Sequence, residues 1–460
     1  MKKNLWIWAL AAFSMAACTS EDSPTTPEVT ENDWVSPDGQ VVVQLSAAGL
    51  PTPSVSVGRA AITGTDISAL TELGIFALNR DGGYTTNRNS EILLSNVRAK
   101  GTENTTLDPE LHQSTPDAEG HTTALKRIRL FSPDNTSEDI ASIYYYPILP
   151  NCNYDFYGYF PRQNDANVSY TDDEFTVQFE NVDGSMDIIT GRSEAAPIMT
   201  KGTLYAGQET IDGQLTNVYN DTDLNGFNSK YIRSIKYHNW LMDTEAAIYP
   251  ETPVFKQQRF VPNIKFEHRT ALLQFYIVAN DKQAGADEPP YNDREETTKL
   301  RVFDLTLEDV NTVARWAVKA NTLTWLEEKD LPMQALTTNE YAVMGVNYAD
   351  VWEEKSFTLD ANLVTKNTMK PAVDKASAKQ AGYMMVEPKA GYKVTLSILA
   401  PTSAGDAVPT TQTTTLTIPT EFKAGYKYNV YIQLNALQEV NIHAELEDWK
   451  QGADVDVPVE

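Results

Sequence analysis

Short runs of alternating apolar and polar residues, each broken off by Gly, Pro or Asn, fill most of this chain and point to β-structure. The clearest is "FKAGYKYNVYIQLNAL" (422–437), where Tyr426, Tyr428, Val430, Ile432 and Leu434 share one face and Lys427 and Asn429 take the other. A first set of such runs covers "GQVVVQLSAAGL" (39–50), "TELGIFAL" (71–78), "SEILLSNVRA" (90–99), "RIRLFSP" (127–133), the aromatic "ASIYYYPILPNCNYDFYGYFP" (141–161) and "DEFTVQFENV" (173–182). A second set opens with "RFVPNIKFEHRTALLQFYIVAN" (259–280) and continues through "TKLRVFDLTLEDV" (298–310), "EYAVMGVNYA" (340–349), "GYMMVEP" (382–388) and "GYKVTLSILAP" (391–401). It closes with "TTQTTTLTIP" (410–419), the 422–437 run and "QEVNIHAELEDW" (438–449). No long amphipathic helix stands out in the first half. The expected fold is therefore all-β, with two tandem β-sandwich domains at 38–200 and 201–460. The polar stretch 201–258 reads as an elaborated connection within the second domain rather than as a third core. With 460 residues, the chain is long enough for each domain to bury its own core.

The charge balance narrows the partners. Against 37 Lys and Arg stand 63 Asp and Glu, a net charge of −26. Nucleic acid is excluded as a partner, because phosphate binding needs clustered cations.

The N-terminus carries the strongest short signal. "MKKNLWIWALAAFSMAAC" has two lysines, an apolar run and small residues before Cys18, the layout of a secretory signal over residues 1–17. Met15-Ala16-Ala17-Cys18 resembles a bacterial lipobox, which implies a lipid on Cys18 and anchorage in the outer membrane. Residues 18–37 read as an acidic, Pro-containing tether, similar to the surface-export signal of Bacteroidetes lipoproteins. Cys152 is then the one thiol left. It cannot make an internal disulfide and is expected to be a buried core residue.

Enzyme motifs are missing: there is no G-x-S-x-G, H-E-x-x-H, Walker loop, C-x-x-C or Rossmann glycine pattern. None of the histidines (His112, His121, His238, His268, His443) stands at metal-ligand spacing from another. The run Asp221-Thr222-Asp223-Leu224-Asn225-Gly226 fits half of an EF-hand loop, but Ile232 occupies the place of the bidentate Glu, so it reads as an Asx-rich turn. The expectation is a protein with no catalytic residues, no metal and no cofactor.

Several soft motifs occur in order over about four hundred residues: the lipobox and acidic tether, "VGRAAITG", "CNYDFYGYFP", "MDIITG" (186–191), "FEHRTALL" (266–273), "FKAGYKYNV" and "IHAELEDWKQG" (442–452). Together they resemble the fimbrillin family of Bacteroidetes, lipoprotein pilins of the type V kind. The resemblance implies two transthyretin-like β-sandwich domains, a place at the cell surface, and a role as a structural or tip component of a pilus. It also implies that an Arg-specific surface protease cuts after an Arg behind the first strand. A strand from another pilin subunit then fills the slot that this opens. Here that Arg is Arg59, followed by Ala60; it is the lone Lys or Arg between Cys18 and Arg80.

The tail "WKQGADVDVPVE" alternates Val455, Val457 and Val459 against polar residues or Pro, the pattern of a donor strand. About eleven residues at roughly 3.3 Å each span about 36 Å, enough to replace one strand rather than two. Stalk, tip and anchor positions all stay open. The alternative is a surface lipoprotein that does not polymerise and binds a glycan or host protein, with Trp240, Trp352 or Tyr291 as stacking faces.

Overall fold

A computed structural model describes residues 35–36, 38–48, 72–80, 91–101, 126–132, 142–148, 152–171, 174–193, 195–196, 198–224, 226–248, 261–279, 301–332, 357–358, 379–400, 410–436 and 439–447. The first strands in chain order are β1 (Leu45–Ala48), β2 (Leu73–Asn79), β3 (Ile92–Gly101), β4 (Lys126–Leu130), β5 (Tyr154–Phe160), β6 (Val168–Tyr170), β7 (Phe175–Phe179) and β8 (Ile189–Ser193). Then come the hairpin β9 (Tyr205–Ile211) and β10 (Gln214–Tyr219), the helix α1 (Ser229–Ile248), and β11 (Asn263–His268). The rest are β12 (Ala271–Ala279), β13 (Arg301–Ala317), β14 (Thr322–Pro332), β15 (Phe357–Thr358), β16 (Lys379–Val386), β17 (Lys393–Ala400), β18 (Thr410–Thr417), β19 (Lys427–Ala436) and β20 (Glu439–Glu447). The protein is all-β in its framework.

Seven strands close on themselves in the order β1-β11-β8-β5-β2-β3-β4, with β4 returning to β1. A closed sheet packs its own inner face as a core and leaves no edge unpaired. Six of the seven pairings are antiparallel; β1 and β11 run parallel.

The alternation of β2 and β5 explains why these strands are apolar on both faces. Leu73, Ile75 and Ala77 of β2, with Tyr154 and Phe156 of β5, point into the barrel core. Phe76 and Leu78, with Tyr157 and Tyr159, point the other way into a second cluster with Phe175, Val177, Phe179 and Trp316. The Trp316 ring lies 5.4 Å from Tyr159 and 6.3 Å from Phe76, and its Nε1 donates to Asn321 Oδ1 at 3.1 Å.

The second unit stacks a four-stranded sheet, β16-β12-β19-β20, on a larger one, β18-β17-β13-β7-β6, in which β13 also pairs with β14 and β15. Leu273, Phe275, Met384, Val394, Leu396, Val430 and Ile432 are in the core of this unit. Its larger sheet borrows β6–β7 from the first half of the chain: Phe179 to Thr176 pair with Ala314 to Ala317 of β13.

The run 259–280, expected to open the second strand set, divides between the units. Residues 263–268 complete the barrel as β11, and 271–279 enter the second unit as β12. At this joint His268 Nδ1 and Thr270 Oγ1 each lie 2.9 Å from a carboxylate oxygen of buried Asp187.

The stretch 201–258 holds more order than a polar connection suggests. Asp212-Gly213 joins β9 to β10 with φ of 51° and 78°, as in the mirror-image turns that suit tight hairpins. Asn228 caps α1: its Oδ1 accepts the Tyr231 N–H at 2.8 Å. Tyr231, Ile232 and Ile235 then place one narrow stripe of α1 in the barrel core.

Candidate functional site

The site of interest is the position that β1 occupies in the barrel. Val41, Val43, Leu45 and Ala47 alternate into the barrel core and are 6% exposed or less. Ahead of β1, Val43 N–H donates to the Tyr144 carbonyl at 2.7 Å, and the Val41 carbonyl accepts from Tyr146 N–H at 2.9 Å. Along β1, Leu45, Ser46 and Ala47 pair antiparallel with Ile128, Arg127 and Lys126 of β4. On the other side Ser46, Ala47 and Ala48 pair in parallel with Asn263, Ile264 and Lys265 of β11. β1 is thus the strand that joins the two ends of an otherwise open six-stranded sheet.

The outer face of β1 is covered as well. Gln44 Oε1 accepts from Arg127 Nη2 at 3.1 Å, and the Ser46 hydroxyl reaches Asn263 Oδ1 at 3.2 Å and the Pro262 carbonyl at 3.3 Å. Full burial of Val41, Val43 and Leu45 contributes about 1.5–3 kcal/mol each, so the segment is held by several kcal/mol before its hydrogen bonds are counted.

The floor of the slot is aromatic. Tyr146 packs 6.4 Å from Tyr154 and 6.2 Å from Phe156. Burial pushes the Tyr146 and Tyr154 phenols above their ordinary range. Cys152 lies beside them in the same core as a free, buried thiol.

The wall formed by β11 is set by two glycines. Gly158 pairs with Gly191, which pairs with Phe266. A Cβ on Gly158 would lie 2.7 Å from the Phe266 ring, and one on Gly191 would lie 2.6 Å from the Lys265 carbonyl. The Phe266 ring therefore covers both glycines, a device that stiffens glycine-containing sheets. "CNYDFYGYFP", "MDIITG" and "FEHRTALL" meet at this row.

Residues 36–40 form the entry to β1. Gln40 N–H donates to Ser36 Oγ at 2.9 Å, and Gly39 holds a φ of 85°, which a side chain would strain. Arg233 of α1 donates through Nη2 to the Gly39 carbonyl. Sequence reasoning missed this contact, because nothing in a local window links residue 233 to residue 39.

Cys18, Arg59, Ala60, Val455, Val457 and Val459 lie outside the described residues, as do Trp352 and Tyr291. In the turn 221–226, Asp221 is ion-paired with Lys230, which holds its carboxyl below the usual range, and Asp223 Oδ1 accepts the Lys201 N–H at 2.7 Å. Among the described residues no three His, Cys, Asp or Glu side chains group as metal ligands.

No protein-family model matches the chain, and no curated protein matches it. Solved structures do. One is a fimbrial protein from Bacteroides vulgatus, 13% identical, covering 88% of this chain and 100% of its own, with a TM-score of 0.41. Another is a candidate cell adhesion protein from Bacteroides uniformis, 13% identical, covering 90% of this chain and 99% of its own, with a TM-score of 0.39. A candidate adhesin from Bacteroides thetaiotaomicron is 10% identical, covers 88% and 97%, and has a TM-score of 0.30.

Proposed function

We propose that this chain is a subunit of a cell-surface pilus whose first strand is a removable stopper, carried to the surface on a lipid at Cys18. The observation that carries the reading is the place of β1. It closes the barrel, the four inward side chains of 41–47 fill the core, and the lone Arg before Arg80, Arg59, follows it in the chain.

Cutting after Arg59 severs β1 from the rest of the barrel. Loss of the strand then leaves β4 and β11 with unpaired N–H and C=O groups on either side of an apolar slot. Only another strand satisfies both edges and fills the slot together. A donor running in the direction of β1 repeats its hydrogen-bond pattern, antiparallel to β4 and parallel to β11. Val455, Val457 and Val459 have the two-residue spacing of Val41, Val43 and Leu45, so the tail of a neighbouring subunit matches three of the four inward positions. Because β1 is held by its core side chains and by both neighbouring strands, the old strand leaves as the new one pairs.

The test is Arg59→Ala in the full chain, expressed at the cell surface. It is expected to stay uncut and outside any polymer, while the parent chain enters high-molecular-weight ladders. Ladders built from the Arg59→Ala chain would contradict the reading.

A further inference from the structure

Hairpin β9–β10 and helix α1 build a second feature that strand exchange does not use. Tyr205 is only 1% exposed, and three aromatic side chains stand around it. Trp240 stacks on it at 6.2 Å with the ring planes 25° apart. Tyr219 and Tyr237 meet it edge-on, at 6.1 and 6.3 Å. These three outer rings stay open to solvent: Tyr219 is 43% exposed, Tyr237 47% and Trp240 54%. Tyr237 and Trp240 are one helical turn apart and so share a face of α1. Tyr219 faces Tyr205 directly across the hairpin. One buried ring thus fixes three that remain half in water, an arrangement that leaves apolar area unburied and gives the barrel core nothing in return.

Beside the rings lies a fixed polar pair. Gln208 and Asn217 face each other across the hairpin, and Gln208 Nε2 donates to Asn217 Oδ1 at 2.9 Å. That bond orients both amides and leaves Gln208 Oε1 as an acceptor and Asn217 Nδ2 as a donor. Asn217 is two residues before Tyr219 on β10, about 7 Å along the strand, with the register against β9 shifting between Val218 and Tyr219, and both side chains are exposed.

Aromatic faces beside an oriented donor and acceptor match the chemistry of a sugar ring. Its C–H face packs on an aromatic plane, and neighbouring hydroxyls give and accept hydrogen bonds at the amides. Charge selects among sugars and against other occupants. At −26, the chain repels phosphates and sulfated and sialylated glycans. We propose that Tyr219, Tyr237 and Trp240, with Gln208 and Asn217, form a binding site for a neutral oligosaccharide. The site stands independently of processing at Arg59.

The test uses purified residues 19–460 on a printed array of neutral, sialylated and sulfated oligosaccharides, with the melting temperature of each variant as the folding control. Binding is expected on neutral glycans alone. Trp240→Ala and Asn217→Ala each weaken it by about tenfold or more, and Trp240→Phe weakens it less than Trp240→Ala. Should Trp240→Ala fail to fold, Asn217→Ala, which removes only an exposed amide, decides. A blank array, binding confined to charged glycans, or neutral binding unmoved by the substitutions overturns the proposal. So does a dimer in ultracentrifugation that Trp240→Ala dissolves, because the patch would then serve contact between copies.

Discussion

Arg233 on α1 donates its guanidinium to the carbonyl of Gly39, in the turn that leads into β1. A side chain from nearly two hundred residues downstream thus fastens the entry of the strand proposed to leave. Arg233 is exposed, so its bond adds at most about 1 kcal/mol to global stability. Its effect is local. Arg233→Ala is expected to leave the melting temperature within a few degrees of the parent while amide exchange over 39–48 speeds up severalfold. Unchanged exchange there would show that the turn is held by other contacts.

Gly158 and Phe266 are expected to be strongly coupled. A methyl group on residue 158 would sit 2.7 Å from the ring, so Gly158→Ala should cost about 1–3 kcal/mol in urea unfolding. In a Phe266→Ala background the same change should cost clearly less, since the ring is gone and only Ile75 Cδ1, at 3.1 Å, has to give way. Additive costs in that double-mutant cycle would mean that the ring does not set the glycine requirement.

Asp187 supports the joint between the barrel and the second unit. Asp187→Ala removes the acceptor that His268 Nδ1 and Thr270 Oγ1 share. Each loss in a buried site is worth about 1–3 kcal/mol, so a total of about 3 kcal/mol is expected by calorimetry. A change below about 0.5 kcal/mol would remove Asp187 from the account of how the units are held.

Alkaline pH should unfold the protein through its tyrosines. Burial pushes the phenols of Tyr146, Tyr154, Tyr159, Tyr231 and Tyr392 upward, and that of Tyr157 to about 12. In the unfolded chain tyrosine releases its proton near pH ~10. The folded chain keeps protons that the unfolded chain loses, so the stability is complete below pH ~10 and falls as pH climbs through the folded values. Each phenol steepens that fall by about 1.4 kcal/mol per pH unit. Tyrosinate absorbance should rise together with the loss of near-ultraviolet circular dichroism. Full ionisation of the tyrosines with the dichroism intact would contradict this.

Much of the framework was readable from period-two patterning. The parity of Tyr154 and Phe156 against Tyr157 and Tyr159 separates two buried clusters in the structure, and the run at 422–437 contains β19. The helix α1 was not readable. Its buried stripe rests on Tyr231, Ile232 and Ile235, interleaved with Arg233, Ser234 and Lys236 in a polar stretch. Nor was the division of 259–280, since β11 and β12 are separated only by Arg269 and Thr270. The parallel pairing of β1 with β11 joins residues more than two hundred apart and is decided by tertiary packing, which no local window contains. The aromatic patch was half visible: Trp240 stood out as a stacking face, but the buried Tyr205 that organises it did not.

The most direct test of the removable first strand is brief trypsin treatment of residues 19–460, with the new N-terminus read by mass spectrometry and the product sized by light scattering. The account predicts a dominant cut between Arg59 and Ala60, followed by loss of the segment that holds β1 and growth of oligomers. A chain cut at Arg59 that keeps β1 and remains monomeric at high concentration would contradict it.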